Sequence, residues 1–138
     1  MRVFLDANIL FTAAHNPKGK AALVIELGEA GIWRLATSPY AAEEARRNIA
    51  RKFPACNESL DAILQNIVPV SDDQEIPCPA GLAEKDRPIF RAARACRADV
   101  LLTGDLRDFG FLMNAPAKAD GLLIQTVAEF LAGTDFQL

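Results

Sequence analysis

The 138-residue sequence lacks the residues on which several large enzyme classes depend. It has a single histidine, His15, and three cysteines that lie far apart and form no CxxC pair. Zinc sites need several nitrogen or sulfur ligands, so nearly all zinc hydrolase schemes are excluded. A Ser-His-Asp triad is disfavoured, because no serine lies in a GxSxG motif and only one histidine is available. The scattered cysteines indicate free thiols in a reducing compartment.

The sequence also lacks a long apolar run and an excess of positive charge. No hydrophobic stretch approaches the roughly 20 residues of a membrane-spanning helix, and Asp6 interrupts the short apolar start that a signal peptide would need. We therefore expect a cytoplasmic protein with no membrane association. The net charge of −3 argues against a generally basic surface for nucleic acid, but it is compatible with a local basic patch beside an acidic site.

The remaining composition is that of a folded protein, 51% hydrophobic and 24% charged, and the length predicts one domain over residues 1–138. Short apolar runs alternate with helical patterns, which predicts an α/β domain with a parallel sheet. Strands are predicted at residues 3–5, 32–36, 67–70, 100–102 and 122–124. Helices are predicted at residues 21–30, 39–53, 60–66, 87–96 and 127–131.

The helix after the second predicted strand has a start signal and a packing signal. Ser38 is predicted to cap it, with Pro39 at its first position. Its buried face is predicted from residues at a spacing of four: Ala41, Ala45, Ile49 and Phe53. Trp33 and most phenylalanines are predicted to fill the core rather than to stack on a ligand. His15, near Lys18 and Lys20, could meet substrate, but a surface histidine is the preferred interpretation.

Carboxylates occur at equivalent places in the predicted sheet. Asp6 and Asp105 follow the first and fourth strands, Glu43 or Glu44 lies early in the helix after the second strand, and Asp86 precedes the helix that leads to the fourth. In βα units these places share one edge of the sheet. Clustered carboxylates repel one another unless a cation lies among them, and oxygen-only ligation favours Mg²⁺ or Mn²⁺. The inferred chemistry is hydrolytic phosphoryl transfer.

Each of these acids also has an interpretation without a function. Asp6 and Asp86 could simply cap the helices that follow them. Glu43 can pair with Arg47 on the helix surface, which makes Glu44 the better candidate for the site. Convergence of the whole set on one edge is harder to explain in this way. Three basic residues flank the carboxylates and are predicted to bind substrate: Lys85, Arg87 and Arg107.

Four segments then follow one another in an order typical of a known family. They are VFLDANIL at 3–10, SPYAAEE at 38–44 with Asn48-Ile49, KDRPI at 85–89 with Ala92-Ala93, and LTGDLRDF at 102–109. In these segments the sequence resembles the PIN-domain family of metal-dependent nucleases. The resemblance implies a five-stranded parallel sheet of order 3-2-1-4-5 with helices on both faces, a PIN-like three-layer sandwich.

The resemblance also assigns roles to the acidic residues. The implied catalytic acids are Asp6, Glu44, Asp86 and Asp105, although Glu43 could take the place of Glu44. Asp6, Asp86 and Asp105 would bind the metal. The expected supporting residues are Asn8, Thr103, Ser38 and Asp108, the last as a possible fifth acid.

Members of this family cleave RNA with Mg²⁺ or Mn²⁺, and many are toxins of toxin–antitoxin pairs. The resemblance therefore implies a metal-dependent endoribonuclease that leaves a 5′-phosphate, with RNA as substrate, an antitoxin as partner and a homodimer as a plausible assembly. A non-catalytic PIN-fold module that binds RNA or protein is the alternative. A Mg²⁺-dependent phosphatase of the haloacid-dehalogenase type fits less well, because it needs a second Asp where this chain has Asn8.

Overall fold

The computed structural model describes residues 1–134, so the last four residues of the predicted domain lie outside the described ones. Five strands form one sheet: β1 (Arg2–Leu5), β2 (Arg34–Thr37), β3 (Val68–Pro69), β4 (Val100–Leu102) and β5 (Leu123–Gln125). Their order is β3-β2-β1-β4-β5, and every neighbouring pair is parallel. The predicted α/β class and strand order are confirmed.

The described residues also form seven α-helices. They are α1 (Ala7–His15), α2 (Lys20–Glu29), α3 (Pro39–Lys52), α4 (Asn57–Gln65), α5 (Arg87–Ala95), α6 (Leu106–Phe109) and α7 (Val127–Ala132). Short 3₁₀ turns, including Glu84–Asp86 directly before α5, complete the connections. Within residues 1–134, no helix is both long enough and apolar enough to cross a bilayer.

Helix α1 is absent from the predicted elements, although it supports much of the fold. It packs against α2, α3 and α4. Its buried residues are Ala7, Ile9, Leu10, Ala13 and Ala14. Because apolar side chains follow one another directly in this segment, its period could not be distinguished from that of an extended run.

Helix α3 confirms its start signal and corrects its buried face. The Ser38 hydroxyl accepts a hydrogen bond from the Ala41 amide at 3.1 Å, and Ala41, Ala45 and Ile49 are buried as predicted. Phe53 is not, since 41% of its surface is exposed. The helix ends at Lys52, and Phe53 adopts φ −140° and ψ 62°. Because Phe53 leaves the helical conformation, its ring does not lie on the buried face of α3 with Ala41, Ala45 and Ile49.

The central strands place the carboxyl edge of the sheet. Leu5 of β1 pairs with Leu102 of β4, and both are fully buried. The Asp6 amide continues this pairing by donating to the Leu102 carbonyl at 3.1 Å. Asp6 directly follows β1 and Thr103 directly follows β4, so the two residues lie side by side at the edge where these strands end.

Candidate active site

A cavity of about 270 Å³ opens at the carboxyl edge of the sheet. Residues from α1, α3, the turn before α5 and the end of β4 surround it. Its lining residues are Asp6, Ala7, Asn8, Phe11, Glu44, Asn48, Lys52, Lys85, Asp86 and Asp105. The structure thus brings all four predicted catalytic acids to one cavity.

Asp6 lies buried at this edge, with only 3% of its surface exposed, and both of its carboxylate oxygens accept hydrogen bonds. Its Oδ1 accepts from the Ala7 amide at 2.7 Å, which caps α1. Its Oδ2 accepts from the Thr103 hydroxyl at 2.7 Å and from the Asn8 side-chain amide at 3.3 Å. Asn8 in turn accepts from the Gly104 amide at 2.7 Å. A side chain at Gly104 would press on the Asn8 amide, since its Cβ would lie 3.3 Å from Oδ1.

Burial is the main cause of a raised pKa at Asp6. It raises the pKa of this carboxyl from 3.8 to about 6, and the negative charges of Glu44 and Asp105 add to the rise. The hydrogen bonds from Thr103 and from the Ala7 amide oppose it by stabilising the carboxylate. A cation bound beside this carboxylate would offset both the burial and the repulsion from the neighbouring acids.

Asp86 is the second buried acid, with 6% of its surface exposed. It occupies the predicted N-cap position of α5, but its side chain makes no capping hydrogen bond, so capping does not account for its carboxylate. Its Oδ2 is buried and has no hydrogen-bond partner among the described residues. Burial, followed by a hydrogen bond to Asp108 and the charge of Asp105, raises the pKa of Asp86 to about 7 despite the opposing charge of Lys85.

Asp86, Asp105 and Asp108 form the tightest group of acids among the described residues. One oxygen from each lies within 4.8 Å of the others. Asp105 also accepts from the Asp108 amide at 3.1 Å and so caps α6. The Lys85 ammonium lies 2.9 Å from Asp108 and 3.8 Å from Asp105, and its hydrogen bond lowers the pKa of Asp108. The unpartnered Asp86 oxygen and this oxygen-only donor set fit a divalent cation.

Comparison with known proteins identifies the family to which this arrangement belongs. Residues 2–107 match the family model described as the PIN domain. The chain belongs to the PIN domain family. No curated protein matches the chain significantly.

Two solved structures share the fold of this PIN domain. One is VapBC2 from Rickettsia felis bound to a DNA fragment from their promoter, with a TM-score of 0.65 and 17% identity over 91% of this chain and 98% of that one. The other is VapBC-1 from nontypeable Haemophilus influenzae, with a TM-score of 0.59 and 15% identity over 93% and 99% of the two chains. At these identities the likeness concerns the fold alone.

Helix α3 contributes one face to the cavity of the PIN domain. Glu44 lines the cavity, whereas Glu43 is exposed to solvent. Asn48 and Lys52 follow Glu44 along the same face and also line the cavity. Sequence reasoning missed Lys52, although its spacing of four from Asn48 and eight from Glu44 on a helix was a usable signal.

Of the predicted basic and supporting residues that remain, only Lys85 lines the cavity. Lys85 is tied to the acids, whereas Arg87 donates from Nε to the Leu82 carbonyl at 3.2 Å and does not line the described cavity. Arg107 is exposed on α6. Ser38 is buried and caps α3. The substrate-binding role of the three basic residues stays a prediction.

Tyr40 is a further residue that sequence reasoning missed. Its hydroxyl donates to the backbone carbonyl of Lys85 at 2.8 Å. Burial and the charges of Glu44 and Asp86 raise the pKa of Tyr40, so it keeps its proton and remains a donor. The contact ties the start of α3 to the turn that carries Asp86, two elements that are 45 residues apart in sequence. No local pattern could have indicated it.

Proposed function

We propose that this PIN domain is an endoribonuclease that requires Mg²⁺ or Mn²⁺. The observation that carries the proposal is the buried, unpartnered Oδ2 of Asp86. The Asp86 carboxylate clusters with those of Asp105 and Asp108, and Asp86 lines the cavity together with Asp6 and Asp105. Leaving such an oxygen without a partner costs free energy in the folded protein. Coordination of a cation would supply the missing partner.

Asp6, Asp86 and Asp105 would hold the ion, with Asp108 as a further oxygen donor. A divalent cation in such a site neutralises phosphate charge and makes water a better nucleophile. Carboxylate oxygens, with no histidine or cysteine in the cavity lining, favour a hard ion. Both Mg²⁺ and Mn²⁺ accept these ligands.

Other residues around the ion would orient its ligands, activate water and bind the substrate. Thr103 and Asn8 keep the Asp6 carboxylate oriented by donating to one of its oxygens. Glu44, on the α3 side of the cavity, is placed to accept a proton from water or to orient it. Lys85 is 67% exposed at its side chain, so it can exchange a carboxylate for a phosphate of the substrate backbone. Arg107, exposed nearby on α6, would bind a flanking phosphate.

The test is cleavage of labelled single-stranded RNA by wild type and Asp6→Asn in Mn²⁺, Mg²⁺ or EDTA. We expect wild type to cut only with metal and Asp6→Asn to lose at least 100-fold in rate, roughly the effect of losing a key charged group. Asp61→Asn, which removes an exposed carboxylate on α4, is the matched control and should cut like wild type. Cleavage that survives Asp6→Asn would refute the site assignment.

We also propose that the protein acts as the toxin of a pair with a protein antitoxin. Support comes from the fold shared with two VapBC structures. Expression of wild type, but not of Asp6→Asn, should arrest bacterial growth, and co-expression of a protein encoded beside it should restore growth. Growth that continues under wild-type expression, in cells that contain active enzyme, would contradict this proposal and leave the nuclease proposal intact.

A further inference from the structure

An aromatic cluster lies beside the acidic cavity and has no role in holding the carboxylates. It consists of Phe11 and His15 on α1 and Phe53 at the end of α3. The rings of His15 and Phe53 are stacked, with centroids 4.4 Å apart and planes at 17°. Phe11 contacts both, with centroids 4.7 Å from His15 and 5.7 Å from Phe53. Phe53 was expected in the core and His15 at the surface, whereas Phe53 is exposed and His15 is partly buried.

The aromatic cluster is continuous with the candidate active site. Phe11 lines the cavity together with Asp6 and Glu44, so one end of the cluster borders the acids. At the other end Phe53 is 41% exposed. The cluster therefore runs from the cavity wall to the solvent, along a path that a chain leaving the cavity could follow.

Positive charge accompanies the aromatic cluster. The Lys52 ammonium lies 5.6 Å from the centroid of the Phe11 ring, and Lys52 also lines the cavity. Arg51, the preceding residue, donates to Asn48 in the same cavity wall at 3.2 Å. Aromatic faces interleaved with cationic side chains are the combination that binds single-stranded nucleic acid, because bases stack on the rings while phosphates meet the cations.

We infer that the aromatic cluster is the platform on which a base of single-stranded RNA stacks, next to the phosphodiester that is cut, with Lys52 holding the phosphate between them. This inference rests on the proposed function and adds a subsite for one unpaired base of the substrate. A duplex keeps its bases stacked on one another, so the platform selects against paired RNA. Phe53 and His15 would be specificity residues that bind substrate without touching the reacting atoms.

The test measures binding separately from cleavage. A fluorescent 12-nucleotide single-stranded RNA and the corresponding duplex are titrated in Ca²⁺, in place of the ions that support cutting, against wild type, Phe53→Ala, Phe53→Leu and Phe53→Trp. Because Phe53 is half exposed, these variants should fold, and thermal unfolding checks this. Phe111→Ala removes a second exposed phenylalanine, 45% exposed, outside the cavity, and is the matched control.

We expect wild type and Phe53→Trp to prefer the single strand, and Phe53→Ala and Phe53→Leu to bind it roughly 5- to 150-fold more weakly, the range for loss of one stacked base. Phe111→Ala should bind like wild type. Phe53→Leu keeps apolar bulk without an aromatic face, so wild-type affinity in that variant would overturn the inference. If the Phe53 variants bind and cut RNA normally but fail to self-associate or to bind a protein partner, the surface is a protein interface and the inference is wrong. Failure of the nuclease proposal is recognised separately, since wild type itself would then not cut.

Discussion

Burial of Asp6 should make the metal-free protein less stable at neutral pH than in mild acid. In the unfolded chain this carboxyl ionises near 3.8, whereas in the folded protein its pKa is about 6. Well below pH 3.8 the group is protonated in both states, so it contributes no pH dependence there. Between the two values the unfolded chain releases a proton that the folded protein keeps, so stability falls as pH rises. Above about pH 6 the full cost is present and the dependence ends.

The size of this effect follows from the difference between the two pKa values. A rise of about two pH units at roughly 1.4 kcal/mol each corresponds to a cost of about 3 kcal/mol at neutral pH. About 2 kcal/mol of this develops between pH 4 and pH 7.5. Asp6→Asn removes the ionisation but leaves a single acceptor oxygen for donors that approach both carboxylate oxygens. That loss of hydrogen bonding is the same at every pH. Only the pH dependence of the difference in unfolding free energy between Asp6→Asn and wild type therefore reports on ionisation.

The assay is urea denaturation of wild type and Asp6→Asn in EDTA at several pH values from 4 to 7.5. We expect the free energy of unfolding of Asp6→Asn, relative to wild type, to increase by about 2 kcal/mol across this range. Asp61→Asn, which removes a carboxylate from the exposed surface, controls for the loss of one negative charge and should run parallel to wild type. Parallel curves for Asp6→Asn and wild type would refute the reasoning.

Three further predictions concern the metal ligands, the hydrogen bonding of Asp6 and the packing of α3. Mn²⁺ at 100 times its dissociation constant should stabilise wild type by roughly 3 kcal/mol in thermal unfolding, and Asp86→Asn should show much less stabilisation; an equal effect would exclude Asp86 as a ligand. Thr103→Val should lower the free energy of unfolding in EDTA by about 1–3 kcal/mol, because Asp6 loses its shortest side-chain donor; an unchanged value would contradict this. Ile49→Ala, at a fully buried position of α3, should cost about 2–5 kcal/mol in urea denaturation, whereas Ala50→Gly on the exposed side should cost only about 1 kcal/mol.

The strand order was predictable because local signals agree with the family pattern. Apolar runs such as residues 100–102 are short and buried on both faces, as parallel strands are. The start of α3 was equally clear, since Ser38 and Pro39 form a standard capping sequence. The end of α3 could not be predicted as well. The apolar spacing of four continues through Phe53 in the sequence, although the backbone leaves the helical conformation at that residue.

The acids of the site were predictable for a similar reason. The strand order that the resemblance implies makes β1 and β4 neighbours, and Asp6 and Asp105, which follow these strands, both line the cavity at their carboxyl edge. The partners of those acids depend on geometry that no spacing encodes. The ion pair of Lys85 with Asp108 requires the short turn of α6, and the bond from Tyr40 to the Lys85 carbonyl joins two distant elements.

The raised pKa values of Asp6 and Asp86 also predict how metal binding depends on pH. Ligand carboxyls must lose their protons before they coordinate an ion, so binding releases protons wherever these groups are protonated in the free protein. With pKa values of about 6 and about 7, roughly 1.4 protons should leave per ion at pH 6 and almost none at pH 8. Calorimetric titration of Mn²⁺ in buffers that differ in ionisation enthalpy measures this number.

Affinity for Mn²⁺ should accordingly increase between pH 6 and pH 8, because fewer protons compete with the ion. Asp86→Asn removes the acid that is most protonated, so it should lower the proton release at pH 6 to roughly 0.5 while also weakening binding. Release that stays the same in Asp86→Asn, or affinity that does not change from pH 6 to pH 8, would mean that these two buried carboxyls do not take up the ion. In that case the carboxylates of Asp105 and Asp108, which are more exposed, would have to hold it without them.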